Sequence, residues 1–184
     1  MSKPYIYTFI EGELISLMPI NSDHVHLYVK WINDPKVRLY SRSVVPRTIE
    51  EWKKLFLNMP EERIKTHIFF EIWHKKDKKP LGDVGLFDIN WFDKKAFIGL
   101  LIGEKEYWNK GIGTEAIKLT TNYGFKELNL NKLYATVYAP NKASCRCFEK
   151  NHFIKEAILK NDTFIENKYL DLYFYSILKE FWLK

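Results

Sequence analysis

The chain has 184 residues, of which 46% are hydrophobic and 16% aromatic, and this composition predicts one folded domain, residues 1–184, with a sizeable core. Its apolar runs are too short to cross a bilayer, its first residues lack a signal-peptide pattern, and its two cysteines give no disulfide framework, so we expect a cytoplasmic protein without a membrane partner. The net charge of +6 favours anionic ligands, but the basic residues are scattered, so direct binding to nucleic acid is not expected.

Apolar patterning predicts strands in the first part of the chain at residues 13–18, 67–73, 81–89 and 96–102. Two helices are predicted between the first two of these strands. One begins at a capping residue, Asn21 or Ser22, and ends near residue 33, and the other begins at Thr48 and ends at Pro60. The lysine-rich residues 75–79 are expected to form a solvated turn.

The second part of the chain alternates helices and strands. A helix is predicted over residues 116–128, a strand over 132–138, a helix over 141–151, and two strands within 153–178. Early strands followed by this alternation predict an α/β (α+β) fold in which helices cover a mixed sheet. The parallel part of that sheet should have a right-handed crossover.

The most informative segment is residues 107–116, which read Tyr-Trp-Asn-Lys-Gly-Ile-Gly-Thr-Glu-Ala. Gly111 and Gly113 stand where a helix should begin. A helix start offers unpaired N–H groups and the positive end of the helix dipole, and glycine lets a ligand approach the backbone closely. The segment therefore predicts a site for a phosphate or pyrophosphate group.

Two kinds of phosphate loop fit this segment poorly. Residues 111–116 match the dinucleotide pattern G-x-G-x-x-A, but about eight residues separate Gly111 from the preceding strand, whereas the dinucleotide turn follows its strand at once. The next strand also ends without an acidic residue for a ribose. The nucleoside-triphosphate pattern G-x-x-x-x-G-K-S/T is absent. An acyl-coenzyme A is the third candidate ligand, and the resemblance described next is what favours it.

Four blocks of sequence, in order, resemble the GNAT N-acetyltransferases. Residues 108–113 resemble the family's motif A, R/Q-x-x-G-x-G/A, with tryptophan in the first place. Residues 17–19 with 31–35, residues 81–89 and residues 141–153 resemble the RimJ/RimL-like branch, which acetylates ribosomal-protein N-termini. Related branches acetylate polyamines or aminoglycosides. The resemblance implies a GNAT fold, with a mixed central sheet of about six to seven strands and a splayed cofactor cleft between the fourth and fifth strands.

The same resemblance implies acetyl-CoA as co-substrate. It assigns the pyrophosphate to the backbone of Trp108, Asn109, Lys110, Gly111, Ile112, Gly113 and Thr114. Leu101 and Ile102 are expected to pair with pantetheine as an added strand would, and Asn141 and Ser144 to face the cofactor from the last helix. No metal is expected, because the five histidines lack metal-ligand spacing on a common face.

The implied reaction is direct attack of a primary amine on the thioester in a ternary complex. The backbone N–H near Leu101 is the implied oxyanion donor. Phe148 stands where many relatives have a tyrosine that acts as the general acid. Ser144 matches the serine that RimL-like members use for this role. The Ser144 hydroxyl could instead bind the amides of its helix start, and Cys147 is a third candidate acid.

The general base is left open by the sequence. Phe97 replaces the acidic residue that many relatives carry, and Thr163 stands where RimL-like enzymes have a glutamate. Glu71, Asp83 and Asp88 lie on predicted strands near the sheet centre, and strand alternation turns Glu71 towards a cleft. Each could also be an ordinary salt-bridged carboxylate, and an amine that arrives neutral needs no dedicated base.

The resemblance places the acceptor site near Trp31, Asn33, Asp88 and Trp91. Aromatic rings and a carboxylate suit a cationic amine. The tryptophans could equally pack in the core. The expected acceptor is a protein N-terminal α-amine, with a polyamine or aminoglycoside as the alternative. A non-catalytic acyl-CoA-binding protein is the alternative of another class, because phenylalanine stands at two usual catalytic positions. The branch also implies a possible homodimer.

Overall fold

The computed structural model describes residues 7–41, 44–57 and 65–184, and the side chains of residues 55–57 are not part of that description. The strands are β1 (Ile10–Glu11), β2 (Ile15–Pro19), β3 (Ile68–His74), β4 (Lys79–Asn90), β5 (Lys95–Ile102), β6 (Lys132–Tyr138), β7 (Ile154–Ile165) and β8 (Lys168–Leu178). The helices are α1 (Val25–Asn33), α2 (Pro35–Arg38), α3 (Ile49–Leu57), α4 (Ile112–Lys126), α5 (Lys142–Lys150) and α6 (Lys179–Trp182).

Within the described residues, the strands form one eight-stranded sheet in the order β1-β2-β3-β4-β5-β6-β8-β7. This confirms the mixed α/β sheet. It has one strand more than expected, because β1 is only two residues long and carries no periodic signal. None of the helices in the described part combines the length and the apolar character needed to cross a bilayer.

The sheet splits between β5 and β6, which are the one parallel pair among the described strands. Residues 95–97 of β5 pair with residues 132–134 of β6, and no pairing follows beyond them. The other neighbouring strands are antiparallel and β4 stays paired with β5 as far as Ile102. The two parallel strands therefore diverge and leave an opening, as the splayed cleft between the fourth and fifth predicted strands requires.

Helices cover both faces of the sheet. On one face, α4 packs through Ile117 and Phe125 against a core that includes Leu86, Ile98 and Leu133. On the other face, α1 and α2 bury a smaller aromatic cluster. This arrangement leaves the split between β5 and β6 accessible from the side of the helix starts of α4 and α5.

Capping side chains fix the helix starts much as the sequence predicts. The Thr48 hydroxyl accepts from the Glu51 N–H at 3.1 Å, and the Glu51 carboxylate accepts from the Thr48 N–H at 3.0 Å, which is a capping box. Helix α4 begins at Ile112, four residues earlier than the predicted residue 116. Gly111 is its cap, and Gly113 lies inside its first turn. The predicted helix end at Pro60 lies outside the described residues.

Candidate active site

The start of α4 has the backbone geometry of an anion site. Gly111 caps the helix with φ of +86°, a left-handed conformation that glycine adopts without strain, and among the described residues no side chain caps this helix. Asn109 is also left-handed, with φ of +61°. The first-turn N–H groups of Ile112, Gly113 and Thr114 have no partner in the helix ladder, so they can donate to a pyrophosphate.

Gly113 lets this helix start approach β5 and α5 closely. A Cβ at Gly113 would lie 3.1 Å from Cδ2 of Leu100 and 3.3 Å from Sγ of Cys147, closer than most real contacts. The glycine pair therefore has two separate roles. Gly111 turns the backbone, and Gly113 makes room for packing.

A cleft of about 570 Å³ opens beside this helix start. Several residues predicted to hold the cofactor line it, namely Leu101, Ile102, Trp108, Asn109, Gly113, Asn141 and Ser144. The Trp108 ring forms part of its wall, with its indole N–H donating to the Ile102 carbonyl at 2.8 Å. Lys110, Ile112 and Thr114 do not line the cleft with their side chains: Lys110 lies over the Tyr107 ring, and Ile112 is buried in the core.

The charged side chains of this first cleft are all basic. Lys36, Lys142 and Arg146 line it, and the described lining residues include no aspartate or glutamate. These cations give no signal in the sequence, because they come from α2 and α5 and are not clustered in the chain. Together with the helix start they make the cleft suitable for an anionic ligand such as coenzyme A. We call it the donor cleft.

A second cleft, of about 910 Å³, lies beneath α1 and α3. Aromatic rings dominate its wall, namely Tyr28, Tyr40, Trp52, Phe69, Phe87, Phe97, Tyr138 and Phe148. Asp83 and Asp88 also line it, and the described lining residues include no lysine or arginine. This second cleft is therefore suited to a cation, because carboxylates and the faces of aromatic rings both attract cations. We call it the acceptor cleft.

The donor and acceptor clefts meet at one place. Six residues line both clefts, namely Tyr40, Ser41, Leu100, Leu101, Asn141 and Ser144. Ser144 and Leu101, predicted as acid and oxyanion donor, are thus brought together at the junction. Tyr40 and Tyr138 are site residues that the sequence analysis missed. Tyr138 ends a strand at the split, which is a usable signal, whereas Tyr40 follows a helix of four residues and gives none.

Ser144 is the candidate acid whose hydroxyl is available at this junction. Asn141 Oδ1 accepts from the Ser144 N–H at 3.2 Å, so the Asn141 side chain caps α5. In the part of the chain that the structure describes, the Ser144 hydroxyl has no hydrogen-bond partner, and it does not bind its helix start. Phe148 is buried against Phe153 and Tyr175. Burial raises the pKa of the Cys147 thiol, and that residue lies in the donor cleft.

Glu71, the predicted base, is not a cleft residue. It is 1% exposed, its carboxylate accepts from the Tyr28 hydroxyl at 2.8 Å, and His24 Nδ1 lies 2.8 Å from its Oε2. Strand alternation predicts that Glu71 faces a cleft, and this prediction is wrong. Helix α1 and the turn before it cover the Glu71 side chain. Asp83, directly opposite on β4, lines the acceptor cleft instead. Burial, and then the charge of Glu71, raise the pKa of Asp83 to about 7.

Only one of the predicted acceptor-binding residues lines the acceptor cleft. Asp88 does, with an exposed side chain 3.6 Å from His67 Nε2. Trp31 is fully buried and donates its indole N–H to Glu104 at 2.7 Å. Asn33 bonds to the backbone of Arg47, and Trp91 donates to the Lys65 carbonyl. These three expectations are corrected, because the residues pack or hold loops.

Thr163 is largely buried on β7 and lines neither cleft. Among the described residues, no three or more histidine, cysteine, aspartate or glutamate side chains are grouped as metal ligands.

A cleft with three basic side chains and a cleft with two aspartates thus meet where the parallel strands diverge. Residues 15–154 match the family model for the acetyltransferase (GNAT) domain. The chain therefore belongs to the GNAT acetyltransferases, and it is an acyltransferase.

The names of similar proteins include both protein acetyltransferases and spermidine acetyltransferases. Mouse alpha/beta-tubulin-N-acetyltransferase 9 is 30% identical over 84% of this chain and 67% of its own length. The Escherichia coli K12 spermidine N(1)-acetyltransferase is 37% identical over half of each chain. A Vibrio cholerae spermidine N-acetyltransferase, solved with CoA and spermine, superposes with a TM-score of 0.85 over 94% of this chain and all of its own, at 22% identity. That last likeness shows the fold.

Proposed function

We propose that the protein transfers an acetyl group from acetyl-CoA to a primary amine by direct attack in a ternary complex. The observation that carries the proposal is the separation of charge between the clefts. The donor cleft carries Lys36, Lys142 and Arg146, and the acceptor cleft carries Asp83 and Asp88. A polyanion and an ammonium ion are each attracted to the cleft that suits them.

The donor site has a defined set of contacts. The helix start of α4 holds the pyrophosphate, and the cations along the donor cleft neutralise phosphate charge. Beyond residue 97 the backbone of β5 is no longer paired with β6, so Leu101 and Ile102 can pair with pantetheine. Acetyl-CoA supplies an activated acetyl thioester at the junction of the clefts.

Residues at the junction stabilise the reaction. A backbone N–H on the open edge of β5 near Leu101 donates to the developing oxyanion, a contact typically worth about 3 kcal/mol in acyl transfer. The Ser144 hydroxyl donates a proton to the departing thiolate. Both groups lie where the two substrates meet, so neither needs to move far.

The acceptor that we propose is the α-amine of a protein N-terminus with a large apolar first residue. The cleft wall is mainly aromatic, which suits an apolar side chain next to one cationic amine. The likeness to the tubulin acetyltransferase and to a putative ribosomal N-acetyltransferase of Bacillus subtilis, 26% identical over 83% of this chain, supports a protein acceptor, and the second likeness supports a RimJ/RimL-like assignment.

A polyamine is the second candidate acceptor. Asp88 places a second carboxylate at the cleft, five positions from Asp83 on the same strand, where a second cationic centre could bind. The partial likeness to the E. coli spermidine acetyltransferase supports it. We further propose that residues 1–184 act as one N-acetyltransferase domain in the cytoplasm, with a homodimer as the possible assembly.

An amine panel tests the proposed acceptor. Thiol release from acetyl-CoA is measured with a peptide that begins with methionine, with the same peptide blocked at its N-terminus, with spermidine and with an aminoglycoside. We expect the free peptide to give the highest kcat/KM and the blocked peptide to give none. Faster turnover of spermidine would favour the second candidate. Binding of acetyl-CoA without thiol release for any amine would contradict the proposal and indicate a non-catalytic binding protein.

A further inference from the structure

Two carboxylates, on β3 and β4, form a cross-strand pair. Glu71 on β3 and Asp83 on β4 are direct register partners, so their side chains lie on the same face of the sheet. Glu71 is buried and accepts from the Tyr28 hydroxyl at 2.8 Å. His24 Nδ1 lies 2.8 and 3.1 Å from the two Glu71 oxygens. Glu71 is therefore fixed, while Asp83 faces the acceptor cleft.

Asp83 is also next to the junction of the clefts. It is the register partner of Leu101 on β5, and Leu101 lines both clefts. Opposed residues in an antiparallel pair have Cα atoms about 4.5 to 5.5 Å apart. An amine bound by the Asp83 carboxylate is thus held close to the site of acetyl transfer.

The surroundings of Asp83 keep it a proton acceptor near neutral pH. The titratable groups that face it are Glu71 from β3 and Tyr28 from α1, with His24 behind Glu71, whereas β5 presents Leu101. Burial and the charge of Glu71 raise the pKa of Asp83 to about 7. Burial and Glu71 also raise the pKa of Tyr28, so that hydroxyl remains a donor.

We infer that Asp83 binds the acceptor's ammonium group and removes one proton from it, and that Glu71, fixed by His24 and Tyr28, positions Asp83 for this role. The inference rests on the proposed function. It places the base on β4, in the strand next to the phenylalanine that fills the usual position on β5. Asp83 and Phe97 both line the acceptor cleft, so the carboxylate acts in the same space.

The proton transfers balance. An N–H bond of the ammonium breaks and an O–H bond forms on Asp83, which leaves a neutral amine. The amine nitrogen attacks the thioester carbon, and the C–S bond breaks as the tetrahedral intermediate collapses. Ser144 gives its hydroxyl proton to the sulfur and takes the second proton of the attacking nitrogen. Asp83 then releases its proton to water, so the products are an acetylated amine, a thiol and one proton.

The test is the pH dependence of kcat/KM for Asp83→Asn and Glu71→Gln, with the amine and acetyl-CoA as substrates. In the wild type, kcat/KM should fall as the pH drops below about 7, where Asp83 gains its proton. Asp83→Asn should lower kcat/KM by about 10²-fold or more and abolish this fall at low pH, the acidic limb of the profile. Asp83→Glu should retain it. Glu71→Gln should move the limb to lower pH, because removing a neighbouring negative charge lowers the pKa of Asp83.

Asp171→Asn is the matched control, since Asp171 pairs with Lys160 at 2.8 Å and lines neither cleft. Its profile should match that of the wild type. Acetyl-CoA binding by calorimetry checks that each variant is folded. An active wild type whose Asp83→Asn variant keeps both its rate and its limb would overturn the inference alone. A wild type that releases no thiol with any amine would overturn both the inference and the proposed function.

Discussion

Ser144→Ala is expected to lower kcat by about 10²-fold or more while the Kd for acetyl-CoA stays nearly unchanged. The hydroxyl lies at the junction of the clefts and has no partner among the described residues, whereas the Ser144 N–H keeps its bond to Asn141 in the variant. The loss should therefore appear in the chemical step. Steady-state thiol release gives kcat, and calorimetry gives the Kd.

Cys147→Ala separates this role from that of the neighbouring thiol. Cys147 lines only the donor cleft, and its thiol is engaged with Thr114 at 3.6 Å. We expect a much smaller effect on kcat than for Ser144→Ala. A large loss of kcat in Cys147→Ala, with Ser144→Ala close to the wild type, would transfer the acid to the thiol.

Trp31→Ala is expected to reduce the free energy of unfolding by about 3 to 5 kcal/mol, as removal of a large buried aromatic ring does. Trp31 is fully buried, and its indole N–H donates to Glu104. Gly103 packs directly against the ring, since a Cβ there would lie 2.1 Å from it. Urea unfolding measures the loss.

Trp108→Ala is the matched control for that substitution. Its ring is 38% exposed in the donor cleft, so the variant should lose about 1 kcal/mol or less of stability but bind acetyl-CoA more weakly. A Trp31→Ala variant that keeps its stability but binds the amine more weakly would contradict the placement of Trp31 in the core. An unfolding free energy within about 1 kcal/mol of the wild type, together with a raised KM for the amine, would restore Trp31 to the acceptor site.

Local patterns in the sequence predicted the parts of the fold that depend on local chemistry. The Thr48 cap, the strand alternation and the glycine-bearing helix start are all set by neighbouring residues. The anion site could be predicted for the same reason, because a helix start and its glycines are contiguous in the chain.

The parts that were wrong depend on what covers a side chain. Glu71 and Asp83 share one face of the sheet, and only the packing of α1 decides that Glu71 is sealed while Asp83 meets the cleft. Trp31 offers the same signal whether it packs in a core or lines a pocket. The charge separation between the clefts was also hidden, because its residues come from several elements.

The central claim is that an anionic acyl donor and a cationic amine occupy the two clefts and meet at Ser144 and Leu101. A crystal structure of the protein with CoA and an acceptor amine tests it most directly. We predict the pyrophosphate at the start of α4, the CoA sulfur beside Ser144, and the amine nitrogen in the aromatic cleft within hydrogen-bond distance of Asp83. An amine bound outside the acceptor cleft, or a CoA sulfur directed away from the junction, would contradict the account.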